Sequence, residues 1–210
     1  MKADFWNDRW QRNQIGFHNS EIHPLLTRYW PMLELTNDAR VLVPLAGKSL
    51  DVRWLIAQGH DVTAVELNKL AVEAFFREQQ WSATQTHRPQ HIVFHHEALE
   101  FWVGDFFAIR KEDLSAFDGV YDCAALIALP AEMRSGYVDA VSALLKPGAK
   151  YLLVSLEYPD ENMSGPPFAI DSSKITRLFH TSFSIHCHGK HPSEVKGQPC
   201  FEIVYTLQRL

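Results

Sequence analysis

Short apolar runs alternate with amphipathic stretches along most of the chain. Runs of strand length lie at residues 41–43, 62–65, 91–96, 99–103, 120–123, 150–156, 183–188 and 200–207. Stretches whose apolar residues recur at helical spacing lie at residues 5–12, 20–30, 49–58, 68–79, 132–145 and 171–179. Strands that alternate with helices predict an α/β fold with a mostly parallel central sheet and helices on both faces. The last two runs predict an antiparallel pair at the C-terminal edge of that sheet.

Polar residues before the helical stretches predict where the helices begin. Ser20 and Asn68 have side chains that can accept a hydrogen bond from a backbone amide of the first helical turn, so we expect each to cap a helix. Pro31 would interrupt the helix that Ser20 begins. In the helix after Asn68, the residues expected to face the core are Leu70, Val72, Phe75 and Phe76.

Length and composition narrow the class of protein. The chain has 210 residues, 46% of them hydrophobic and 21% charged, so we expect one domain over residues 1–210. A formal net charge of −5 argues against a nucleic-acid surface, and no apolar run reaches the roughly 18 residues of a membrane span. The N-terminal segment has no apolar core of signal-peptide length, so we expect no secretion signal. We also expect no disulfide framework from three scattered cysteines. We expect a reduced, cytoplasmic protein.

The most informative segment is Arg40-Val-Leu-Val-Pro-Leu-Ala-Gly-Lys-Ser-Leu-Asp51, a buried strand, a turn and the start of a helix, and the next strand ends at Glu66. Open α/β sheets bind ligands outside the carboxyl ends of their strands, at turns of this kind. A Glu66 carboxylate can accept hydrogen bonds from two ribose hydroxyls. Gly104 and Asp105 follow a further strand, so successive strand ends would line one crevice. Together these features indicate an adenosine-bearing cofactor.

The turn lacks two well-known nucleotide motifs. A phosphate loop needs a glycine five residues before Gly47-Lys48, where the chain has Leu42. A nicotinamide fingerprint needs three glycines, and the turn has only Gly47. Both omissions favour a cofactor without a pyrophosphate, and S-adenosyl-L-methionine meets that requirement. An ordinary strand, turn and helix with a solvated lysine stays open as the alternative, as does a nicotinamide oxidoreductase.

Several further segments carry distinctive residue combinations: Phe5-Trp-Asn-Asp-Arg-Trp10, Gly16-Phe-His18, Val43 to Asp51, Gly104-Asp-Phe-Phe107, Tyr121-Asp-Cys-Ala-Ala-Leu126 and Gly165-Pro-Pro-Phe168. In this order, over essentially the whole chain, they closely resemble bacterial thiopurine S-methyltransferases. The resemblance implies a Rossmann-like class I methyltransferase fold that uses S-adenosyl-L-methionine and releases S-adenosyl-L-homocysteine. It also implies aromatic or heterocyclic thiols as methyl acceptors, and bacterial relatives are associated with methylation of selenium and tellurium compounds.

The resemblance assigns roles to individual residues. The positions that match the family's cofactor contacts are Trp10, Leu45, Glu66, Gly104 and Asp105. The position that lies against the substrate is Phe17. Trp10 offers an indole face to a sulfonium cation or a flat ring, with packing in the core as its alternative role. Phe17 lies on a loop that, with the rest of residues 1–35, we expect to form a helical lid over the site.

Methyl transfer to sulfur is an in-line displacement in which a thiolate is the nucleophile. Heteroaromatic thiols ionise more readily than an ordinary thiol of pKa about 8.5, so we expect no dedicated general base. Asp122, beside a strand tip, is expected either to hold the polar network of the site or to act as a structural cap. Phe168, on a loop stiffened by two prolines, is expected either to line the pocket or to pack in the core.

The chain departs from the family pattern at Cys123, because relatives have an arginine after the aspartate there. A cysteine cannot supply a guanidinium fork or a fixed positive charge. One hypothesis is lower activity toward thiopurines or a shift to another soft nucleophile, and a second is a cofactor-binding protein with weakened catalysis. A neighbouring basic side chain that compensates for the missing arginine is the third. The replacement of a frequent turn cysteine by Ala46 is expected to matter little.

The histidines near the C-terminus raise the question of a metal site. His186 and His188 share one face of a strand, with His191 and Cys200 nearby. No second close-spaced pair follows them, so we favour surface histidines on an edge strand and expect no metal. We also expect a monomer, because no long apolar stripe is left without a partner in the predicted fold.

Overall fold

A nine-stranded mixed sheet forms the centre of the computed structural model. The structure describes residues 3–114, 116–159 and 165–210, with the side chain of Ala3 excluded. The strands are Arg40–Val43 (β1), Asp61–Glu66 (β2), Thr84–His87 (β3), Ile92–His96 (β4), Leu99–Val103 (β5), Phe117–Asp122 (β6), Leu145–Glu157 (β7), Phe183–Val195 (β8) and Gln198–Arg209 (β9). The helices are Ala3–Gln11 (α1), Pro24–Tyr29 (α2), Leu50–Ala57 (α3), Lys69–Gln79 (α4), Ala125–Ala128 (α5), Ala131–Ala143 (α6) and Ser172–Phe179 (α7). Short 3₁₀ turns add Trp30–Leu33 and Phe106–Ala108.

The strand order is β3-β4-β5-β2-β1-β6-β7-β9-β8. Neighbouring strands from β5 to β7 run parallel, and β9 and β8 close one edge as an antiparallel hairpin. The predicted fold class, a mostly parallel central sheet with an antiparallel C-terminal edge, is confirmed. Strand β3, which makes the opposite edge antiparallel as well, was not predicted. Its residues are all exposed, so the sequence shows no apolar alternation there.

The two helices that follow β1 and β2 begin where the sequence predicts. The Ser49 hydroxyl accepts a hydrogen bond from the amide of Asp51, 3.1 Å away, and the Asn68 side chain accepts one from the amide of Leu70 at 2.9 Å. Each cap satisfies a backbone donor that has no partner within its helix. The prediction that Leu70 faces inward is wrong, because that side chain is 48% exposed.

The helix predicted from Ser20 begins later, at Pro24. A residue that precedes a proline is disfavoured in helical conformation, whereas proline itself is well suited to the first helical position. His23 therefore becomes the N-cap, and its ring nitrogen accepts a hydrogen bond from the amide of Leu25. This shift removes His23 from the helix and leaves its side chain beside the ends of other elements.

Two apolar cores lie on the two faces of the sheet. Successive side chains of a strand point to opposite faces, so Leu42 packs beneath α5, α6 and α7, while Val41 and Val43 pack beneath α2, α3 and α4. Within the described ranges, no helix has both the length and the apolar character that crossing a membrane requires. The layered arrangement fixes the strand ends as one rigid edge, and the candidate site lies there.

Candidate functional site

A cavity of about 990 Å³ opens at the carboxyl ends of β1, β2, β5 and β6. Its volume lies near the upper end of the range for small-molecule sites, about 300–1,000 Å³. The predicted site residues that line it are Trp10, Phe17, Leu45, Glu66, Gly104 and Asp105. The fold thus brings together residues from the first helix and from the ends of separate strands.

The turn after β1 is bound to the end of β2. The amide of Ala46 donates to the carbonyl of Val65 at 2.9 Å, and the amide of Gly47 donates to Oε2 of Glu66 at 2.9 Å. Leu45 and Gly47 both have positive φ angles, 49° and 57°. This conformation turns the chain sharply and presents backbone groups, rather than long side chains, to the cavity.

Glu66 is a buried carboxylate, 7% exposed, at the floor of the cavity. Besides the bond from Gly47, its Oε1 accepts the amide of Asn68 at 2.8 Å. Burial raises the pKa of the Glu66 carboxyl group, and the hydrogen bonds from backbone amides oppose that change. A carboxylate has about four acceptor positions, so Glu66 keeps capacity for a ligand hydroxyl. Glu66 therefore fits a ribose while it holds two segments of backbone together.

Gly104 and Asp105 continue the cavity wall after β5. The amide of Gly104 donates to the carbonyl of Glu66 at 2.9 Å, which fixes the two strand ends side by side. A Cβ at Gly104 would lie 2.5 Å from Cδ2 of His91 and 2.7 Å from the carbonyl oxygen of Gln90, so only glycine fits. Asp105 caps the following 3₁₀ turn, with Oδ1 accepting the amide of Phe107 at 3.0 Å.

Aromatic side chains from the N-terminal segment cover another side of the cavity. The Phe17 ring meets Trp6 and Trp10 edge to face, with centroids 5.5 Å and 5.7 Å apart, and it remains 45% exposed. The side-chain amide of Asn68 donates to Oδ1 of Asn7 at 2.8 Å. Helix α1 is therefore attached to the start of α4 through one polar contact, beside an apolar surface that a flat ligand can use.

A set of polar residues also lines the cavity, and of these the sequence singled out only Cys123. We call it the His23 cluster, and its members are His23, Asp51, Tyr121, Cys123 and Glu202. The His23 ring is 3.2 Å from Glu202, Nε2 to Oε1, and the His23 amide donates to Oδ1 of Asp51 at 2.8 Å. The Tyr121 hydroxyl donates to Oδ2 of Asp51 at 2.9 Å. Cys123 lies close enough to His23 and Tyr121 to influence the pKa of each.

The environment of the His23 cluster sets its protonation. Burial lowers the pKa of His23, but hydrogen bonds and charge interactions with Cys123 and Glu202 outweigh it and raise the pKa to about 11. Burial, followed by the nearby Cys123 and Asp51, raises the pKa of Tyr121 well above its ordinary value. At neutral pH the phenol of Tyr121 is therefore neutral and donates to the carboxylate of Asp51.

Asp122 is buried in the core, and Phe168 is half-buried against Arg134. Asp122 is 1% exposed, and its oxygens accept hydrogen bonds from the hydroxyls of Tyr137 and Tyr151 and from two amides of α5. Phe168 lies under the guanidinium of Arg134, 5.5 Å from the ring centroid. Neither Asp122 nor Phe168 is among the described residues that line the cavity. Of the two roles open to each from the sequence, the structure favours the structural one.

The C-terminal histidines interact with neighbours in the sheet and in α2. The rings of His186 and His188 are 4.5 Å apart, and Nε2 of His188 lies 2.8 Å from the Thr206 hydroxyl. His191 Nε2 lies 3.0 Å from the Tyr29 hydroxyl. Over residues 3–114, 116–159 and 165–210, no three histidine, cysteine, aspartate or glutamate side chains are arranged to hold a metal ion.

Comparisons with known proteins agree with one another. The family model described as thiopurine S-methyltransferase matches residues 1–202. A thiopurine S-methyltransferase of Pseudomonas fluorescens strain SBW25 is 47% identical over 185 residues, which cover 88% of this chain and 85% of that protein. A second one, from strain Pf-5, is 48% identical over 83% of this chain and 79% of its own length. A solved methyltransferase, the 1,6-didemethyltoxoflavin-N1-methyltransferase of Burkholderia thailandensis, shares the fold with a TM-score of 0.70 at 17% identity, covering 99% of this chain and 86% of that one.

Proposed function

This chain belongs to the thiopurine S-methyltransferase family, and we propose that it transfers the methyl group of S-adenosyl-L-methionine to the sulfur of aromatic and heterocyclic thiols. The observation that carries the proposal is that one cavity gathers every residue singled out for cofactor or substrate contact. Selenium and tellurium nucleophiles are further acceptors in this proposal, because they are soft and polarisable like sulfur.

The strand ends form the proposed binding site of the methyl donor. Glu66 keeps free acceptor positions for the ribose hydroxyls, and the close-packed Gly104 lets the chain pass near an adenine that Asp105 borders. The turn at Leu45 exposes backbone groups to the methionine part. Trp10 supplies an aromatic face for the sulfonium. These five residues form a binding site with a carboxylate for the ribose at its centre.

The chemistry that follows needs alignment more than proton transfer. The bound donor supplies an electrophilic methyl group on a sulfonium. The chain's own residues hold the thiolate in line with that carbon and exclude water with the aromatic side chains around Phe17. Correct alignment of two reactants can contribute about 7–11 kcal/mol to rate acceleration. No general base is required for an acceptor that is already ionised.

The proposal extends to organisation and location. Residues 1–35 act as a lid on a single domain, supported by the contact between Asn7 and Asn68 and by the exposed ring of Phe17 over the cavity. The protein works as a monomer. A reducing cytoplasm suits its cysteines, which are free thiols in the structure.

The alternative of a cofactor-binding protein with weakened catalysis depends on Cys123. Cys123 lacks the fixed positive charge of an arginine, so turnover of an aromatic thiol decides between this alternative and an active enzyme.

The test is calorimetric titration with S-adenosyl-L-homocysteine, followed by turnover of an aromatic thiol. We expect binding by the native protein and at least a tenfold weaker affinity for Glu66→Ala, about 1.4 kcal/mol, because a charged contact to the ribose is lost. Glu73→Ala is the control, since Glu73 pairs with Lys69 on the exposed side of α4. Absence of binding by the native protein would overturn the proposal. Binding without methylated product would leave only the cofactor-binding alternative.

A further inference from the structure

The motif Gly165-Pro-Pro-Phe168 is not part of the proposed donor site, yet its first three residues line the cavity. Ile127, Ala128 and Leu129, at the end of α5 and just after it, line the cavity as well. We call these six lining residues the acceptor wall. The strand order places β6 and β7, which precede the two segments, on the side of β1 away from β2 and β5. With the donor at the ends of β1, β2 and β5, the acceptor wall and Cys123 lie on the side left for the acceptor.

The acceptor wall recognises a ligand by shape. All six of its residues are apolar, so the wall contacts an acceptor through apolar area rather than through charge. Because contacts of this kind weaken steeply when a gap opens between the surfaces, a flat ring is held only where the two segments of the wall keep a fixed spacing. That spacing therefore bears directly on which acceptors fit.

Direct contacts join the two segments of the acceptor wall. The amide of Phe168 donates to the carbonyl of Ile127 at 2.7 Å, and the Tyr158 hydroxyl donates to the carbonyl of Pro167. A Cβ at Gly165 would lie 2.3 Å from Cδ1 of Phe168, so the Phe168 ring occupies the space that a side chain at position 165 would need. The ring is therefore packed directly on the loop that carries the prolines.

Arg134 connects the two segments from outside the cavity. It is 7% exposed, and its Nε donates to the carbonyl of Leu129 at 2.9 Å. Its guanidinium lies over the Phe168 ring, 5.5 Å from the centroid, within the range of a cation–π contact. A planar guanidinium can make both contacts at once, a hydrogen bond in its plane and a ring against its face. Arg134 therefore fixes Leu129 relative to Phe168.

We propose that Arg134 is a positioning residue that sets the spacing of the acceptor wall and so limits the acceptor to flat rings. The inference rests on the proposed function, because it concerns the acceptor of that reaction. Without the guanidinium, the carbonyl of Leu129 loses a donor and the Phe168 ring loses its support, so the loop at Gly165 can move away from α5. A wider site holds a flat ring less firmly and admits a thicker one.

The main test compares two thiols in the native enzyme and in Arg134→Gln. Benzenethiol is flat, whereas 4-tert-butylbenzenethiol is thicker at the end of the ring far from the sulfur. The selectivity is the ratio of kcat/KM for benzenethiol to kcat/KM for the tert-butyl compound. We expect Arg134→Gln to lower it at least about fivefold, a change of about 1 kcal/mol, through KM more than through kcat. The affinity for S-adenosyl-L-homocysteine should stay within about twofold, because the donor site is separate.

Further variants distinguish positioning from a general loss of structure. Arg134→Lys keeps the charge but not the planar fork, so it should lower the selectivity less than Arg134→Gln does. Phe168→Leu removes the ring under the guanidinium and should act like Arg134→Gln. Combining Arg134→Gln with Phe168→Leu should lower the selectivity little further, because both changes break the same contact. Arg177→Gln, at an exposed arginine of α7, is the control and should leave the selectivity unchanged.

Three results would overturn the inference: a native enzyme without preference for benzenethiol, an unchanged selectivity in Arg134→Gln, or fully additive effects when it is combined with Phe168→Leu. If Arg134→Gln does not fold, Arg134→Lys and Phe168→Leu decide, and an unchanged selectivity in both would overturn it. A native protein that does not bind S-adenosyl-L-homocysteine, or that methylates neither thiol, would instead contradict the proposed function.

Discussion

The two sides of the cavity are built in different ways. The strand-end side uses Leu45, Glu66, Gly104 and Asp105, where backbone amides and one carboxylate hold neighbouring strand tips together. The His23 cluster uses side chains, and its central contact joins residues 179 positions apart. The first side is therefore part of the sheet, while the second depends on how separate elements pack.

This difference in construction corresponds to a division of roles. A binding site made of backbone groups and one buried carboxylate tolerates few substitutions, because they would disturb the sheet. This suits a methyl donor that is the same in every reaction. In a cluster of side chains, single residues can be substituted without disturbing the sheet. Cys123, at a position where relatives have an arginine, is an example. We infer that the strand-end side fixes the donor and that the His23 cluster sets acceptor preference.

The largest expected effect is on stability, at Glu66. Removal of the carboxylate in Glu66→Ala leaves the amides of Gly47 and Asn68 without their partner, and each unsatisfied buried group costs about 1–3 kcal/mol. We expect unfolding free energy to fall by about 2–6 kcal/mol in urea denaturation. Glu73→Ala, on the exposed face of α4, should change it by less than about 0.5 kcal/mol. A loss that small for Glu66→Ala would show that the strand-end side is not held in this way.

A smaller effect on stability is expected in the His23 cluster, at Tyr121. In Tyr121→Phe the carboxylate of Asp51 loses one charged hydrogen bond, worth about 1.5–3 kcal/mol, while the ring continues to fill its place. Affinity for S-adenosyl-L-homocysteine should be unchanged and KM for the thiol should rise. Tyr205→Phe, which loses a neutral bond to Ser172, is the matched comparison and should cost about 0.5–1.5 kcal/mol. A loss of cofactor affinity in Tyr121→Phe would break the proposed division of roles.

The strand-end side was predictable because its residues follow strands directly in the sequence. Each of Leu45, Glu66 and Gly104 comes just after an apolar run, and parallel strands place their carboxyl ends at one edge. The cap Asn68 was predictable for the same local reason. The family resemblance then added Trp10 and Phe17, whose position over the cavity depends on how α1 packs.

The His23 cluster was not predictable from local pattern. Asp51 and Tyr121 fall inside distinctive motifs, but nothing near them in sequence indicates that they share a hydrogen bond across 70 positions. The predicted helix over residues 20–30 includes His23, whereas Pro24 disfavours a helical conformation at its neighbour and makes His23 the N-cap. Glu202 lies in β9, the strand next to the edge of the sheet, where a glutamate among alternating residues is ordinary. Only the pairing of β9 with β7 brings it to the cavity.

The most direct test of the account is a crystal structure with S-adenosyl-L-homocysteine bound. We expect both ribose hydroxyls within hydrogen-bond distance of the Glu66 carboxylate, the adenine beside Asp105, and the homocysteine sulfur facing the space next to His23 and Cys123. A ligand whose ribose lies away from Glu66, or whose sulfur faces a different wall of the cavity, would contradict it.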